Sequence, residues 1–446
     1  MNEIIAEKGY ISLKWKYLNF IDYLLPAYIV CSLPLFYFGL HYDFLFKGVA
    51  ILASLYYLFR FRVYSYRRAK TFTIFLLLVS FSFIQYIYNG RPIALYISDV
   101  SNYVAAMLFF YVGLSDDRPG RPFYNKLMYS TAIVFVLGLL CFITMPSWFL
   151  SRTIEAINAN NVVEYNEFNV FEQMRFGAFW GDSYSVSHLS VFCVAIAIFS
   201  VAYWEGKKRW IAIACLIIGL VSSIASMHRA SMAGSAMAVA FYIYFNCRMH
   251  RQKANWIVFA SFILILVGFV FLMPSFGERV EQIFELIFNR VDDNMSLDKA
   301  LKERKYTHDL MAGMRFFIFG HGLGSGGVSA RAYGLPGISD MQYIKMFYEN
   351  GIVGAILFIS IIIHALKRGV KYISIYLTEI AIIGFILVAM LGSNSLSIYY
   401  FIVYPFWYTV GRVYNNNNEY LHKVKIKKHT NGYNSFLSST VSPYSA

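Results

Sequence analysis

The stretch LMYSTAIVFVLGLLCFITMPSWF (127–149) holds 23 residues and no charge. A helix rises about 1.5 Å per residue, so this run spans the roughly 30 Å of a hydrocarbon core. On its N-terminal side stand Arg118, Arg121 and Lys126, and the same arrangement of apolar run and basic edge recurs along the chain. Of 446 residues, 58% are hydrophobic and 14% are charged. Soluble domains carry roughly 45–50% apolar and about 25% charged residues. The bilayer is therefore the solvent, and helices satisfy their own backbone hydrogen bonds in it.

About twelve spans follow from this pattern, at 17–40, 44–58, 72–88, 93–114, 127–149, 185–204, 210–226, 230–246, 255–273, 347–366, 373–392 and 396–413. The expected fold class is an all-α polytopic membrane bundle over 1–413 with a large helical extracytoplasmic loop. Residues 414–446 read as a disordered cytoplasmic tail whose lysines touch anionic lipid. The first apolar run is not closed by a small-residue cleavage site, so it reads as a span and not as a removed signal peptide.

Charge sets the sidedness. With the N-terminus inside, one side collects Lys8, Lys14 and Lys16; Arg60, Arg62, Arg67, Arg68 and Lys70; Arg118, Arg121 and Lys126; Lys207, Lys208 and Arg209; Arg248, Arg251 and Lys253; Lys367, Arg368 and Lys371; and Arg412 with the tail lysines. The short turns on the other side hold only Lys47, Arg91 and Arg229. Both termini are expected in the cytoplasm. The net charge of +14 is then topological, and no nucleic-acid partner follows from it. The five cysteines lie in or beside apolar spans without a CxxC pair. They read as packing residues, with no disulfide framework and no metal site.

Two longer outer segments remain, 151–184 and 274–346. In the second, 278–291 has apolar residues at helical spacing and reads as an amphipathic interfacial helix. A second helix is expected over 297–317. There Arg304, His308, Met311 and Arg315 share one face. That face is either solvated or a cationic surface for phosphate, which arginine forks suit.

GHGLGSGG (320–327) lacks the lysine of a P-loop and the context of a dinucleotide fingerprint, so it reads as a flexible turn. His321 reads as a turn residue. Asp340 opens the next helix, where it is either a helix-capping acid or a general base. Arg229 sits in the tight turn SMHRAS, and Arg175 in MRFGAFWGDS precedes a span. Each is either an interface anchor or a functional cation. Asp99 and Glu379 fall inside spans, and pairing with a neighbouring polar group is enough to explain either.

Three features together resemble the O-antigen polymerase and ligase family: Arg229 with the small-residue run RASMAGSAMA, Arg304 ahead of GHGLGSGG, and Asp340 leading into GIVGAILF. The stretch MRFGAFWGDS is also similar to the family's arginine-containing segment. The resemblance covers roughly 174–411; the first five spans match in hydropathy alone. It implies a fold similar to C-type glycosyltransferase bundles, with no nucleotide sugar, cofactor or metal. The implied activity is a glycosyltransferase that polymerises undecaprenyl-pyrophosphate-linked repeat units into O-antigen, capsular or exopolysaccharide chains, at the outer face of a bacterial inner membrane. Arg229 and Arg304 would stabilise the departing pyrophosphate, and Asp340 would act as base or positioning group. Arg175, His308, Arg315, Gly322 and Gly324 would bind substrate. Ligases of the family carry a His where this chain has Asp340, which favours a polymerase. A ligase with another acceptor, and a flippase or other transporter, stay open at this stage. The implied partners are lipid-linked glycans, membrane lipids, a chain-length regulator and a flippase.

Overall fold

The computed structural model describes residues 2–39, 43–63, 69–88, 92–118, 121–160, 176–180, 183–226, 228, 231–232, 234–239, 318–327, 330, 333–335, 338, 342–390, 396 and 400–415. These are mostly helical, and no strand occurs among them. The main elements are α1 (Asn2–Phe38), α2 (Asp43–Arg60), α3 (Lys70–Tyr88), α4 (Ile93–Ser115), α5 (Pro122–Thr144), α6 (Ser147–Asn160), α7 (Ser183–Tyr203), α8 (Gly206–Ala225), α9 (Gln342–Lys371), α10 (Ile373–Ala389) and α11 (Tyr400–Tyr414). Seven of them, α1, α3, α4, α5, α7, α8 and α9, are long and apolar enough to cross a membrane. Helices α2, α10 and α11 are shorter or more charged and pack within the same bundle.

The expected spans at 230–246 and 255–273 fall mainly outside the described residues. So do the helices expected over 278–291 and 297–317, and nearly all of the tail. Two boundaries differ from expectation. Helix α5 stops at Thr144, because Met145 takes a left-handed conformation (φ 45°) and Pro146 cannot continue the hydrogen-bond ladder. A new helix, α6, then occupies 147–160, where a loop was expected from about 151.

The exterior is apolar and the interior is mixed. Phe20, Phe38, Leu52, Phe59, Ile87 and Trp210 are exposed, whereas Asp22, Asp116 and Glu379 are fully buried. A water-soluble protein hides its apolar groups and hydrates its acids. The reverse pattern suits a bilayer, whose tails cover the apolar rim. Helices α7 and α11 form the centre of the bundle. Helix–helix contact there relies on small and hydroxyl residues, as expected where lipid removes the hydrophobic drive between helices. A Cβ on Gly113 of α4 would lie 2.0 Å from the Tyr408 carbonyl oxygen of α11, so the two backbones touch. Beside α8, Ser235 Oγ donates to Ser223 Oγ (3.1 Å), and Ser226 and Ser231 hydroxyls lie 3.2 Å apart.

One end of the bundle is tied by buried ions. The Arg118 guanidinium forks onto Asp22 (2.8 and 3.0 Å) and onto Asp116 (2.9 and 2.8 Å). The Tyr408 hydroxyl donates to Asp116, and Arg412 lies 3.7 Å from the same carboxylate. Arg412 Nε donates to Glu379 at 3.1 Å, and Arg121 approaches Glu379 at 3.4 Å. Lys126 stands 3.6 Å from Asp22, and Lys14 pairs with Asp117 at 3.1 Å. The network binds α1, the α4–α5 connection, α5, α10 and α11. Lys14, Arg118, Arg121, Lys126 and Arg412, assigned to one side by charge alone, do meet at one end.

Asp116 lies just past the end of α4. Burial would raise its carboxyl, but the hydrogen bonds and charge of Arg118, the charge of Arg412 and the Tyr408 hydroxyl outweigh burial and lower it to about 2. A depressed carboxyl stabilises the fold above its unfolded value and loses that contribution as pH falls through the folded value. We expect the detergent-solubilised protein to lose about 2 kcal/mol of stability between pH 4 and pH 2 from this group. Asp116→Asn should remove that part of the acid dependence, as read from unfolding midpoints across the pH series.

Candidate functional site

The opposite end carries a different polar arrangement, built on a broken helix. Helix α9 has the sequence QYIKMFYENGIVGAILF at its start, and Gly351 interrupts it at φ 68° and ψ −173°. A side chain there would be strained, and its Cβ would sit 2.3 Å from the Ile318 carbonyl oxygen. Breaking a helix orphans carbonyls before the break and N–H groups after it. The glycine-rich segment 318–327 supplies the partners. His321 N–H donates to the Tyr348 carbonyl (2.9 Å) and Gly322 N–H to the Glu349 carbonyl (3.0 Å). On the far side, Val353 N–H donates to the Ile318 carbonyl (3.1 Å).

The remaining loop amides are equally committed. Leu323 N–H donates to Ser82 Oγ of α3 (3.1 Å), Ser325 N–H to Gly322 O, and Gly327 N–H to Gly324 O. Gly324 and Gly326 N–H both donate to Glu349 Oε1 at 3.0 Å. Every N–H from 321 to 327 is thus used inside the protein. The loop is pinned in place, in contrast to the flexible turn expected from its composition. Its concave amide nest already holds an anion, the Glu349 carboxylate. The identity of Gly324 follows from contact: a Cβ would lie 2.4 Å from the Leu95 carbonyl oxygen. Gly322 faces Tyr86 and the Ser82 carbonyl in the same way. The imidazole of His321 is buried and stacks on Tyr348, with ring centroids 4.0 Å apart.

Glu349 belongs to a chain of charges. Lys345, one turn earlier on α9, lies 3.5 Å from Glu349 Oε1, and its Nζ donates to Asp99 Oδ2 of α4 at 2.8 Å. Removing the Glu349 carboxylate leaves two buried N–H donors and an ammonium without it. An unsatisfied buried donor costs about 1–3 kcal/mol. Glu349→Ala should therefore raise amide exchange at Gly324 and Gly326 by roughly a hundredfold. Glu349→Gln, which keeps one carbonyl acceptor, should fall between. Hydrogen-exchange mass spectrometry of the 318–327 peptide reads this directly.

A second polar group lies at the start of α7. Ser183 Oγ and His228 Nε2 are 2.8 Å apart, and the His228 ring packs on Tyr184. Phe176 N–H donates to the Ala225 carbonyl at the end of α8 (3.1 Å). Gln342 N–H donates to the Met390 carbonyl just past α10 (3.1 Å), and Tyr343 OH donates to Leu387 O. Gly234 packs against Phe385 of the same helix, and the His188 ring of α7 lies beside that phenyl.

Of the residues singled out by sequence, Arg175, Arg229, Arg304, His308, Arg315 and Asp340 fall outside the described residues. Gly322 and Gly324 lie in the pinned loop. Of the residues next to them in sequence, Phe176 bonds to the Ala225 carbonyl at the end of α8 and His228 meets Ser183. Asp99 and Glu379, given no role by sequence, each have an ionic partner. Lys345 and Glu349 were missed. Their signal was present: a Lys–Glu pair four residues apart at the edge of an apolar span is costly unless it is used.

Compared with protein-family models and with curated proteins, the chain matches none. The functional reading therefore rests on the residues themselves. Among the described residues, no group of three or more His, Cys, Asp or Glu side chains is placed to hold a metal ion.

Proposed function

We propose that this chain is a membrane glycosyltransferase that joins undecaprenyl-pyrophosphate-linked oligosaccharide repeat units into a polysaccharide, at the outer face of a bacterial inner membrane. The observation that carries the reading is the contrast between the two ends of the bundle. At the basic end, Asp22, Asp116, Arg118, Glu379 and Arg412 are buried and mutually paired. A carrier working by alternating access must open both ends in turn. Opening this one would strand several charges in a low-dielectric interior. The other end gathers the broken helix, the pinned glycine loop and the polar groups Asp99, Lys345, Ser183 and His228. A one-ended polar site suits transfer between two lipid-linked substrates in the same leaflet.

In this reading the donor glycan's pyrophosphate is the leaving group. Arg229 and Arg304 supply cations where its charge develops, and Arg175, His308 and Arg315 bind the diphosphate and flanking sugars. Asp340 is the base or positioning group for the attacking hydroxyl. Gly322 and Gly324 act through the loop's close packing. Both termini lie in the cytoplasm, and a flippase and a chain-length regulator are the expected partners. A ligase would share the donor and differ in the acceptor. A strain lacking the protein separates the cases. Single repeat units on the surface carrier support the polymerase; finished polymer stranded on the lipid carrier supports the ligase; and repeat units trapped on the cytoplasmic face contradict both.

A further inference from the structure

We infer that Asp99 is a catalytic carboxylate of this reaction, receiving the proton of the acceptor hydroxyl, with Lys345 and Glu349 as its positioning residues. The inference rests on the proposed glycosyl transfer and adds a base that the sequence pattern did not assign. Three observations carry it.

The first is the ordered chain of contacts. Glu349 is fixed by two glycine amides at 3.0 Å, Lys345 lies 3.5 Å from it, and Lys345 donates to Asp99 at 2.8 Å. Exposure rises along this chain: the Glu349 and Lys345 side chains are 3% exposed and Asp99 is 16% exposed. Two buried members thus hold the one that reaches outward. The second observation is the backbone. Asp99 is followed directly by a π-helical turn, Val100–Val104. Such turns are rare and concentrate at functional sites. The third is closure of the circuit. The Leu95 carbonyl, one helical turn before Asp99, abuts Gly324, whose amide binds Glu349. Lys345 of α9 therefore holds the Asp99 carboxylate, while Glu349 and the glycine loop hold α9 against α4, which keeps the group in a fixed position as catalysis requires.

The step balances without another reactant. The acceptor hydroxyl oxygen bonds to the anomeric carbon of the donor sugar. The bond from that carbon to the pyrophosphate oxygen breaks, and its electron pair leaves with the pyrophosphate. The hydroxyl proton passes to an Asp99 oxygen and then to water. Asp340 keeps the positioning share of the role.

A purely structural ion pair is the competing explanation, and breaking the pair from its two ends separates them. The assay uses full-length protein in liposomes and undecaprenyl-pyrophosphate-linked oligosaccharide purified from cells lacking the protein. Asp99→Asn should lower kcat by about a hundredfold or more, with KM within about threefold of the wild type. Lys345→Gln, which breaks the same ion pair and keeps the Asp99 carboxylate, should lower thermal stability at least as much as Asp99→Asn yet retain at least about tenfold more turnover. Equal turnover in the two variants, or more than about a tenth of wild-type kcat in Asp99→Asn, overturns the inference. If Asp99→Asn does not fold, Asp99→Glu decides: it should keep measurable turnover with an altered pH profile, and an unaltered profile overturns the inference. A wild-type protein that fails to lengthen the glycan overturns the glycosyltransferase reading instead.

Discussion

Arg118→Ala is expected to destabilise the folded bundle by about 3–5 kcal/mol, the cost of leaving buried charges without their partner. Arg118 holds Asp22 and Asp116 with two edges of its guanidinium, and all three are buried. The substitution leaves two fully buried carboxylates with weaker support: Lys126 at 3.6 Å for Asp22, and Arg412 at 3.7 Å with the Tyr408 hydroxyl for Asp116. Arg118→Lys should recover only part of the loss, because a point charge cannot fork onto two carboxylates. Adding Asp22→Asn to Arg118→Ala should also return part of it, since one stranded charge is neutralised. Thermal unfolding of the solubilised variants in one detergent gives the ordering. An Arg118→Ala protein as stable as the wild type would mean that the network does not hold this end closed.

The second large effect is on activity. Arg229→Ala is expected to insert normally and to lower polymer formation by about 10²–10³-fold, the loss typical when one preorganised stabiliser of developing charge is removed. Next to Arg229 in sequence, His228 meets Ser183 at 2.8 Å, and Ser231 Oγ donates to the His228 carbonyl at 2.7 Å. Arg229→Lys should retain an intermediate activity, keeping the charge and losing the fork. Arg304→Ala should show a similar loss. Polymer length on gels, with protein level checked in membranes, reads both. Full-length polymer from either alanine variant removes the assigned roles.

Hydropathy made the helices legible, because a charge-free run of bilayer length has one inexpensive structure. The run at 127–149 is helical from Pro122 to Thr144. Part of the charge grouping was also legible: Lys14, Arg118, Arg121, Lys126 and Arg412, grouped by the topology rule, lie at one end of the bundle. Hydropathy is blind to backbone dihedrals, so it read through both the Pro146 stop and the break at Gly351. The site was harder. Lys345 and Asp99 are 246 positions apart, and no local pattern announces their bond. The glycine loop looked flexible because its partners, Ser82, Tyr86, Leu95 and Glu349, come from other helices. Once those partners are in place, its amides from 321 to 327 are fully committed, and Gly320, Gly322 and Gly324 are required by contact.

The proposed transferase works at one end of a bundle that is sealed at the other. The direct measurement is reconstitution of the purified protein in liposomes carrying undecaprenyl-pyrophosphate-linked repeat units on the leaflet facing the loop end. The account predicts a ladder of lengthened lipid-linked glycans, with one pyrophosphate carrier released per bond formed and no net movement of repeat units across the bilayer. Repeat units that cross the bilayer at their original length would contradict it and establish a transporter.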